Sequence, residues 1–374
     1  MRIGVTCYPT YGGSGIVATE LGQELAERGH EVHFISYALP IRLNSDLPGI
    51  FYHEVSVSNY PLFEFPPYDL ALATRMAEVA ETQRLDVLHV HYAIPHSVSA
   101  YLARNIASRR LPFITTLHGT DITLVGIDRS YLPITRFSIE VSDGVTAISQ
   151  YLQERTREEF DIQRPIHVIP NFVNCDRYER RALPELRQRY AREDEPLLLH
   201  LSNFRPVKRV CDVIEIFADL ARHVPARLLM AGDGPDRARA EHVARCRGIA
   251  DRVHFLGKQD RIHELFSISD LLLMPSEMES FGLAALEGMA HEVPTIGTRV
   301  GGVPEVIIDG VTGILCEVGD VPSMARAARA LLDDVPRRQE MGRAARARAR
   351  AHFCASEVIP KYEALYRSVM DGQT

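Results

Sequence analysis

The sequence opens with MRIGVTCYPTYGGSGIVATELG, residues 1–22, and this stretch decides the fold. The apolar, β-rich run 3–7 predicts a strand, and Val17 and Leu21, four residues apart, predict the buried face of a helix. The glycine-rich segment 12–15 between them allows a tight turn, because glycine adopts backbone conformations that other residues avoid. A strand, a glycine turn and a helix in succession predict the first step of a parallel α/β sheet.

Length and composition narrow the class of protein. A chain of 374 residues with 46% hydrophobic residues is long enough for two domains, each with its own core. The formal charge of -7 argues against a nucleic-acid binder, which normally carries a basic surplus. The cysteines form no CxxC pair and no cluster with histidine, which predicts reduced cytosolic thiols. They are Cys7, Cys175, Cys211, Cys246, Cys316 and Cys354.

The alternation of short β-rich runs and helical stretches continues through two halves. We predict an α/β protein of two tandem Rossmann-like domains that face each other across a cleft. The first domain is placed at 1–168 and binds the acceptor. The second is placed at 169–355 and binds the nucleotide sugar. The last segment, 356–370, has apolar residues at helical spacing and is predicted as a helix that can pack back on the first domain.

The chain is expected to be cytoplasmic, with no nucleic-acid partner and no stable membrane association. It enters a strand at once without a signal peptide, and no run of about 18 apolar residues occurs. The arginine-rich segment 337–350 lacks an apolar opposing face, which predicts a solvated helix face. The sequence leaves open whether the chain is a monomer or a homodimer.

Two carboxylates carry the strongest functional signal. In SEMESFGLAALEGMA, residues 276–290, Phe281 and Gly282 are predicted as a turn before a helix. Glu279 then lies on a loop, and Glu287 lies little more than one turn inside the helix. A carboxylate placed there can accept two hydrogen bonds from a vicinal diol such as ribose. Two such residues also occur on ordinary surface helices, so the rest of the chain must decide.

Glycine turns follow three predicted strands. The first includes Gly12, and Gly13, Gly15 and Ala18 literally match the dinucleotide pattern G-x-G-x-x-A, but the second strand ends without the carboxylate that would hold a cofactor ribose. An anion-binding turn without NAD is the better interpretation, since backbone N–H groups and a helix N-terminus attract anions. The others lie at Gly232 and at Gly301-Gly302. Each alone is also typical of an ordinary βα turn.

Lys208 follows the first strand of the second half and can neutralise a diphosphate leaving group. No D-x-D pair occurs, so the sequence offers no obvious metal clamp, and we expect neither cofactor nor metal. His118 ends a strand beside Gly119 and Asp121, which favours a site edge, although a structural histidine is equally ordinary there. A zinc site is rejected for the segment HVHYAIPH, 89–96, because no carboxylate or cysteine accompanies it.

Taken together, these motifs resemble the retaining glycosyltransferases of family 4, which have the two-domain GT-B fold. The resemblance rests on Glu279-x7-Glu287, Gly232-Asp-Gly-Pro235, Lys208 and Thr298-x-x-Gly301-Gly302, in the family's order over the whole chain. Within the family, the first half is similar to the branch that moves N-acetylglucosamine from its UDP donor to L-malate, the first step of bacillithiol biosynthesis. The segments TTLHGTDIT, 115–123, and HYAIPH, 91–96, support that branch.

The resemblance implies roles for particular residues. Catalytic roles fall to His118, Lys208 and Glu279. Donor contacts fall to Gly12, Gly13, Asn203, Lys208, Arg209, Gly232, Phe281, Gly282, Leu283 and Glu287. Acceptor contacts, from loop placement as well, fall to Ser14, Tyr92, Thr115 and Thr116, with Arg42 as a weaker addition. Many family members have Arg where Asn203 stands, so the diphosphate should depend more on Lys208, helped by Arg205 or Arg209.

Several alternatives stay open. Another family 4 enzyme could use a different small acceptor such as inositol or an inositol phosphate. A non-hydrolysing sugar-nucleotide epimerase shares the two-domain build and would turn over donor without an acceptor. An NAD-dependent dehydrogenase is disfavoured by the missing ribose carboxylate, and a catalytically inactive binding module remains compatible with the sequence.

Overall fold

The computed structural model describes residues 1–58 and 61–373, which form two compact units. Unit 1 comprises Met1–Asn171 with Val358–Thr374, and unit 2 is Phe172–Glu357. Each unit is a parallel sheet with helices on its faces, which confirms the predicted α/β class. Within the described residues, no helix combines the length and apolar character needed to cross a membrane.

Unit 1 is built on a seven-stranded sheet in the order β3-β2-β1-β4-β5-β6-β7, with every neighbouring pair parallel. Its strands are β1 Arg2–Thr6, β2 Glu31–Ser36, β3 Ile50–Glu54, β4 Val87–His91, β5 Phe113–Leu117, β6 Gly144–Ala147 and β7 His167–Val168. Its helices before the crossing into unit 2 are α1 Gly13–Glu27, α2 Tyr68–Gln83, α3 Val98–Ile106, α4 Thr120–Thr123, α5 Leu132–Glu140 and α6 Gln150–Phe160. A π-helical turn, Ala93–Ser97, follows β4.

Unit 2 repeats this plan with a six-stranded parallel sheet in the order β10-β9-β8-β11-β12-β13. Its strands are β8 Leu197–Leu201, β9 Arg227–Ala231, β10 Val253–Gly257, β11 Leu271–Met274, β12 Thr295–Thr298 and β13 Gly313–Cys316. Its helices are α7 Pro184–Gln188, α8 Val210–Leu220, α9 Arg237–Cys246, α10 Ile262–Ile268, α11 Leu283–Ala290, α12 Val303–Val306, α13 Val321–Asp333 and α14 Val335–His352.

The central strands of unit 2 show why the sheet is covered on both faces. Leu198 packs in the apolar layer with Phe217 of α8, whereas its neighbour Leu199 packs in the opposite layer with Phe266 of α10. Successive strand residues point to opposite faces, so a run of leucines such as Leu197–Leu201 needs an apolar layer on each side. Such a strand is stable only as an inner strand between two helical layers.

The last helix, α15 Ala355–Asp371, returns the chain to unit 1. Its Tyr362 and Tyr366 are fully buried, and the Tyr366 hydroxyl lies 2.7 Å from Nδ1 of His89 on β4. Glu363 Oε1 of the same helix lies 2.9 Å from Nε2 of His30, within hydrogen-bond distance. The C-terminal helix is therefore part of the core of unit 1.

The arginine-rich helix α14 corrects a prediction. Its Arg348 donates from Nε to the Val306 carbonyl at 2.8 Å, at the end of α12, and Arg346 donates to the Ala290 carbonyl at 2.8 Å, at the end of α11. Carbonyls in the last turn of a helix lack intrahelical partners, and guanidinium donors satisfy them. The prediction of a solvated face is therefore wrong for these arginines, which fasten α14 to two helix ends.

Three histidines are buried beneath the carboxyl end of β4. The His89 and His91 rings stack at 4.4 Å, and His96 binds the His91 carbonyl oxygen through Nδ1 at 2.6 Å. Burial lowers the pKa of His89 to about 3 and of His96 to about 4, and it lowers the pKa of His91 well below 6.5. All three rings are therefore neutral in the folded protein at pH 7.

We predict acid destabilisation from these rings. Below pH 6.5 the unfolded chain binds protons at them and the folded chain does not, so stability is complete above pH 6.5 and is lost as pH falls towards 4. Between pH 7.5 and 5.5 each ring should cost about 1.3 kcal/mol of unfolding free energy. Urea unfolding followed by circular dichroism measures the loss. In His96→Phe, the loss of unfolding free energy between the two pH values should be smaller by the contribution of one ring. Equal urea midpoints at the two pH values would contradict the prediction.

Candidate active site

The strand order in each sheet reverses between its first and fourth strands, so β1 lies beside β4 in unit 1 and β8 lies beside β11 in unit 2. All strands are parallel, and the loops after each pair therefore start at the same edge and lead to opposite faces of the sheet. Open α/β sheets bind ligands at this point. Most of the predicted site residues lie on the loops that follow these four strands or in the helices that those loops lead to.

In unit 2, an ion pair joins the two loops at this point. Lys208 follows β8 on a short 3-10 turn, Glu279 precedes α11, and Lys208 Nζ lies 2.5 Å from Glu279 Oε1. Ser276 Oγ donates to the same carboxylate oxygen at 2.9 Å. The Glu277 N–H also donates to the Val207 carbonyl at 2.8 Å. The structure thus brings together two predicted catalytic residues that are 71 positions apart in sequence.

Close backbone packing explains the glycine turn after β9. Gly232 has φ +125°, and a Cβ there would lie 1.7 Å from the Ser202 carbonyl oxygen. A Cβ on Gly234 would lie 2.1 Å from the Asn203 carbonyl oxygen. Only glycine lets this turn press against the loop after β8. Asn203 lies on that loop, and its side-chain Oδ1 is buried with no hydrogen bond to any described residue.

The helix α11 begins where the sequence predicts. Gly282 has φ +95° and caps the helix, which starts at Leu283, so Glu279 is on the loop and Glu287 is on the helix. The Glu287 side chain is buried, with 4% exposure, and its carbonyl oxygen accepts from His291 Nδ1 at 2.7 Å. Phe281 is buried and packs edge-on against Phe353 at 5.7 Å. Glu279 is therefore placed by the loop before α11, and Glu287 is placed by the helix itself.

The two arginines near Lys208 differ in their partners. Arg209 has φ +48° and is engaged by Asp212 at 2.7 Å and by Glu277 at 3.7 Å. Arg205 is exposed, and within the described chain its side chain makes no hydrogen bond or ion pair. His200, beneath the ion pair, stays neutral because burial lowers its pKa to about 4. Of the two arginines, Arg209 is therefore balanced by carboxylates and Arg205 is not, within the described chain.

In unit 1, the loops after β1 and β4 meet through side chains. Gly12 caps α1 in an extended conformation with open space at its Cβ position, and Gly13 is the first helical residue. Ser14 Oγ donates to the Tyr92 hydroxyl at 3.2 Å. Tyr92 has φ +94°, a strained conformation for a tyrosine, and its N–H donates to the Thr116 carbonyl at 2.9 Å. The structure thus brings two predicted acceptor residues into contact.

His118 is held at the end of β5 by a buried carboxylate. Asp121 Oδ1 accepts the N–H groups of His118 and Gly119 at 3.1 and 2.9 Å, and Oδ2 accepts the Ala93 N–H at 3.0 Å. The His118 ring lies 5.5 Å from the Tyr92 ring, and its Nε2 lies 2.8 Å from His91 Nδ1. One carboxylate therefore links the loop that carries His118 to the loop that carries Tyr92.

The other predicted acceptor residues are placed differently. Thr115 and Thr116 are fully buried within β5. The Thr115 hydroxyl lies 2.5 Å from that of Ser97, and the Thr116 hydroxyl lies 2.6 Å from His89 Nε2. Both hydroxyl groups are engaged inside unit 1. Arg42 lies on the loop after β2, half-buried, with φ +64°.

Sequence reasoning missed several residues of the site. Ser276 shares Glu279 with Lys208, and His200 supports Ser202 through a 2.8 Å hydrogen bond. Asp121 and His91 act through contacts with residues on other loops or strands. Of these residues, only Asp121 could be recognised from the sequence, where it lies in a polar segment next to His118. Across residues 1–58 and 61–373, no group of three or more His, Cys, Asp or Glu side chains is arranged to hold a metal ion.

Comparison with known proteins agrees with this geometry. The model of "Glycosyltransferase Family 4" matches residues 11–177, and that of "Glycosyl transferases group 1" matches residues 184–348. The N-acetyl-alpha-D-glucosaminyl L-malate synthase of Bacillus anthracis is 50% identical over 371 residues, covering 99% of this chain and 97% of that protein.

Solved structures of low sequence identity share the fold. Anabaena HepE, solved in complex with UDP and glucose, has a TM-score of 0.83 at 19% identity and covers 98% of this chain and 99% of its own. The sucrose-phosphate synthase of Thermosynechococcus elongatus has a TM-score of 0.79 at 21% identity, covering 99% of both chains. With these matches and its two Rossmann-like units, the chain belongs to glycosyltransferase family 4 and has the GT-B fold.

Proposed function

We propose that this glycosyltransferase moves N-acetylglucosamine from UDP-N-acetylglucosamine to the hydroxyl group of L-malate, with retention at the anomeric carbon. The reaction would be the first step of bacillithiol biosynthesis. The observation that carries the proposal is the 50% identity with the Bacillus anthracis L-malate synthase over nearly the full length of both proteins. That extent covers both the donor loops of unit 2 and the acceptor loops of unit 1.

The donor half of the proposal rests on the charges of unit 2. Glu279 uses Oε1 for both Lys208 and Ser276, and its Oε2 makes no hydrogen bond within the described residues. That oxygen is available to a hydroxyl of the donor sugar. Lys208 would exchange part of its contact with Glu279 for the diphosphate, and Glu287 would accept from the ribose diol. Asn203, Arg209, Gly232, Phe281, Gly282 and Leu283 would shape the same donor site.

Catalysis would depend on positioning and charge. In front-face transfer, the departing phosphate oxygen takes the proton of the attacking hydroxyl, so no carboxylate nucleophile is needed. The developing charge on the diphosphate must then be stabilised by cations and helix N-termini. We assign that role to Lys208 with help from Arg205, because Arg209 is already engaged by Asp212 and Glu277. Neither a metal nor a cofactor is required.

The acceptor half rests on the contact between Ser14 and Tyr92. Malate carries two carboxylates, and the N-terminus of α1 offers backbone N–H donors from Gly13 onwards. Ser14 and Tyr92 would add hydroxyl donors. Thr115 and Thr116 would act by supporting the end of β5, since their own hydroxyls are engaged.

The proposed function is tested by measuring UDP release with a set of donor and acceptor substrates. UDP release should be rapid only with UDP-N-acetylglucosamine and L-malate together, and NMR should show an α-linked product. EDTA should leave the rate unchanged, because cationic side chains stabilise the leaving group. Turnover with an inositol phosphate in place of malate would contradict the acceptor assignment, and turnover of donor without any acceptor would indicate an epimerase.

Removing the charge of Lys208 should slow the reaction strongly. Lys208→Met should lower kcat about 10²- to 10³-fold, since one stabilising contact to the leaving group is lost. Arg205→Met should lower kcat about two- to fivefold, as expected for a more exposed charge. Lys258→Met, on an exposed loop of the same unit, is the control and should be neutral. Steady-state kinetics at saturating malate provides the measurement, and an unchanged kcat for Lys208→Met would refute the donor assignment.

Substitutions in the acceptor loops should change the KM for malate and leave the KM for the donor unchanged. Ser14→Ala and Tyr92→Phe should each raise the malate KM about 5- to 10-fold, the effect of losing about one hydrogen bond. Because their hydroxyls contact each other, the double variant should lose less than the product of the two factors. The KM for UDP-N-acetylglucosamine serves as internal reference and should stay constant. If the malate KM does not move, the proposed pocket is wrong.

A further inference from the structure

The buried imidazoles of unit 1 lie beside His118, and His118 is the only one of these rings to which the family resemblance gives a catalytic role. His91 makes the direct contact, with Nδ1 at 2.8 Å from His118 Nε2. His91 in turn stacks on His89, which Tyr366 and Thr116 hold through both ring nitrogens at 2.7 and 2.6 Å. The ring of His91 is therefore fixed in place by groups that do not contact the site.

Only one nitrogen of His118 is available to a ligand. Nε2 is occupied by His91, and the backbone N–H is held by Asp121 at 3.1 Å. The nitrogen that remains is Nδ1. What it offers, a donated proton or a lone pair, depends on which of the two rings supplies the proton of the bond between them.

Both rings are neutral, so their hydrogen bond contains a single proton. Burial lowers the pKa of His118 to about 3 and holds the pKa of His91 well below 6.5. If His91 donates from Nδ1, His118 must carry its own proton on Nδ1. If His118 donates from Nε2, its Nδ1 is a bare acceptor, and His91 must carry its proton on Nε2.

The surroundings of His91 distinguish the two arrangements. His91 Nε2 is buried and has no hydrogen-bond partner among the described residues. A proton there would be a buried N–H without an acceptor, which is the rarer defect in proteins. An unprotonated Nε2 leaves only a hydrogen-bond acceptor without a partner, which proteins tolerate more often.

Two other histidines show that this fold buries bare Nε2 atoms. His96 Nδ1 lies 2.6 Å from the His91 carbonyl, and His291 Nδ1 lies 2.7 Å from the Glu287 carbonyl. A carbonyl can only accept, so each ring carries its proton on Nδ1. In both, Nε2 is buried without a partner in the described chain. His91 with its proton on Nδ1 follows the same pattern.

We propose that His91 is a positioning residue that holds His118 in the tautomer with the proton on Nδ1. His118 then presents a fixed, neutral N–H donor to an oxygen lone pair of the donor sugar and does not act as a base. The role of the sugar rests on the proposed function, whereas the tautomer is a property of the free protein.

Nitrogen NMR of protein labelled with ¹⁵N-histidine tests the tautomer without substrate. In the wild-type protein at pH 7.5, the His118 signals should show a protonated Nδ1 and a bare Nε2, assigned by their loss in His118→Asn. In His91→Asp, whose carboxylate can only accept a hydrogen bond, the proton of His118 should move to Nε2. In His96→Phe, the control, the tautomer of His118 should be unchanged.

Kinetics then connects the tautomer to the reaction. His91→Asp should lower kcat/KM for UDP-N-acetylglucosamine about tenfold, equal to losing one hydrogen bond, and leave the malate KM unchanged. His118→Asn, whose amide can donate from nearly the same place, should retain more activity than His118→Ala.

Two results would overturn the inference: a wild-type His118 protonated on Nε2, or a tautomer that His91→Asp does not change. The wild-type spectrum alone decides if the variant fails to fold. A protein inactive with UDP-N-acetylglucosamine and malate, but with the expected spectra, would refute the proposed function and leave the tautomer assignment standing.

Discussion

The reversal of strand order in each parallel sheet is the constraint on which the site depends. It places the loops after β1 and β4 next to each other in unit 1, and the loops after β8 and β11 next to each other in unit 2. The contact between Ser14 and Tyr92 and the ion pair between Lys208 and Glu279 each lie at such a point. The same topology, used twice, therefore places the polar contact that we propose for the acceptor and the charged contact that we propose for the donor.

Much of this arrangement follows from sequence. The strands that carry the loops are apolar runs with clear turn signals, and the helix start at Leu283 follows from Phe281 and Gly282 before it. The edge strand β3 Ile50–Glu54 was not predicted, because exposed residues replace the apolar pattern there. The arginines of α14 were misjudged for a related reason. Whether a guanidinium meets water or a helix carbonyl depends on packing between distant segments.

The site shows the same limit at the level of side chains. Lys208 and Glu279 could each be predicted from their positions after strands, but their direct contact spans 71 positions. Thr115 and Thr116 were predicted at a strand end, yet the sequence does not reveal that their hydroxyls are bound by Ser97 and His89. From sequence, His91 was considered as a metal ligand and as part of the segment 91–96, but not as a partner of His118. Its contact with His118 depends on the register of β4 against β5, which pairs His91 with Thr116.

The buried histidines are neutral, which limits the side chains that can carry positive charge at the proposed site. Burial lowers the pKa of His118 to about 3 and of His200 to about 4, so both rings are uncharged in the free protein at pH 7. Among the side chains proposed to face a ligand, Lys208 and Arg205 therefore carry the positive charge before the diphosphate binds. In the free protein Glu279 balances Lys208, and a diphosphate that approaches Lys208 leaves this carboxylate available to sugar hydroxyls. Binding of the nucleotide and orientation of the sugar would thus depend on the same ion pair.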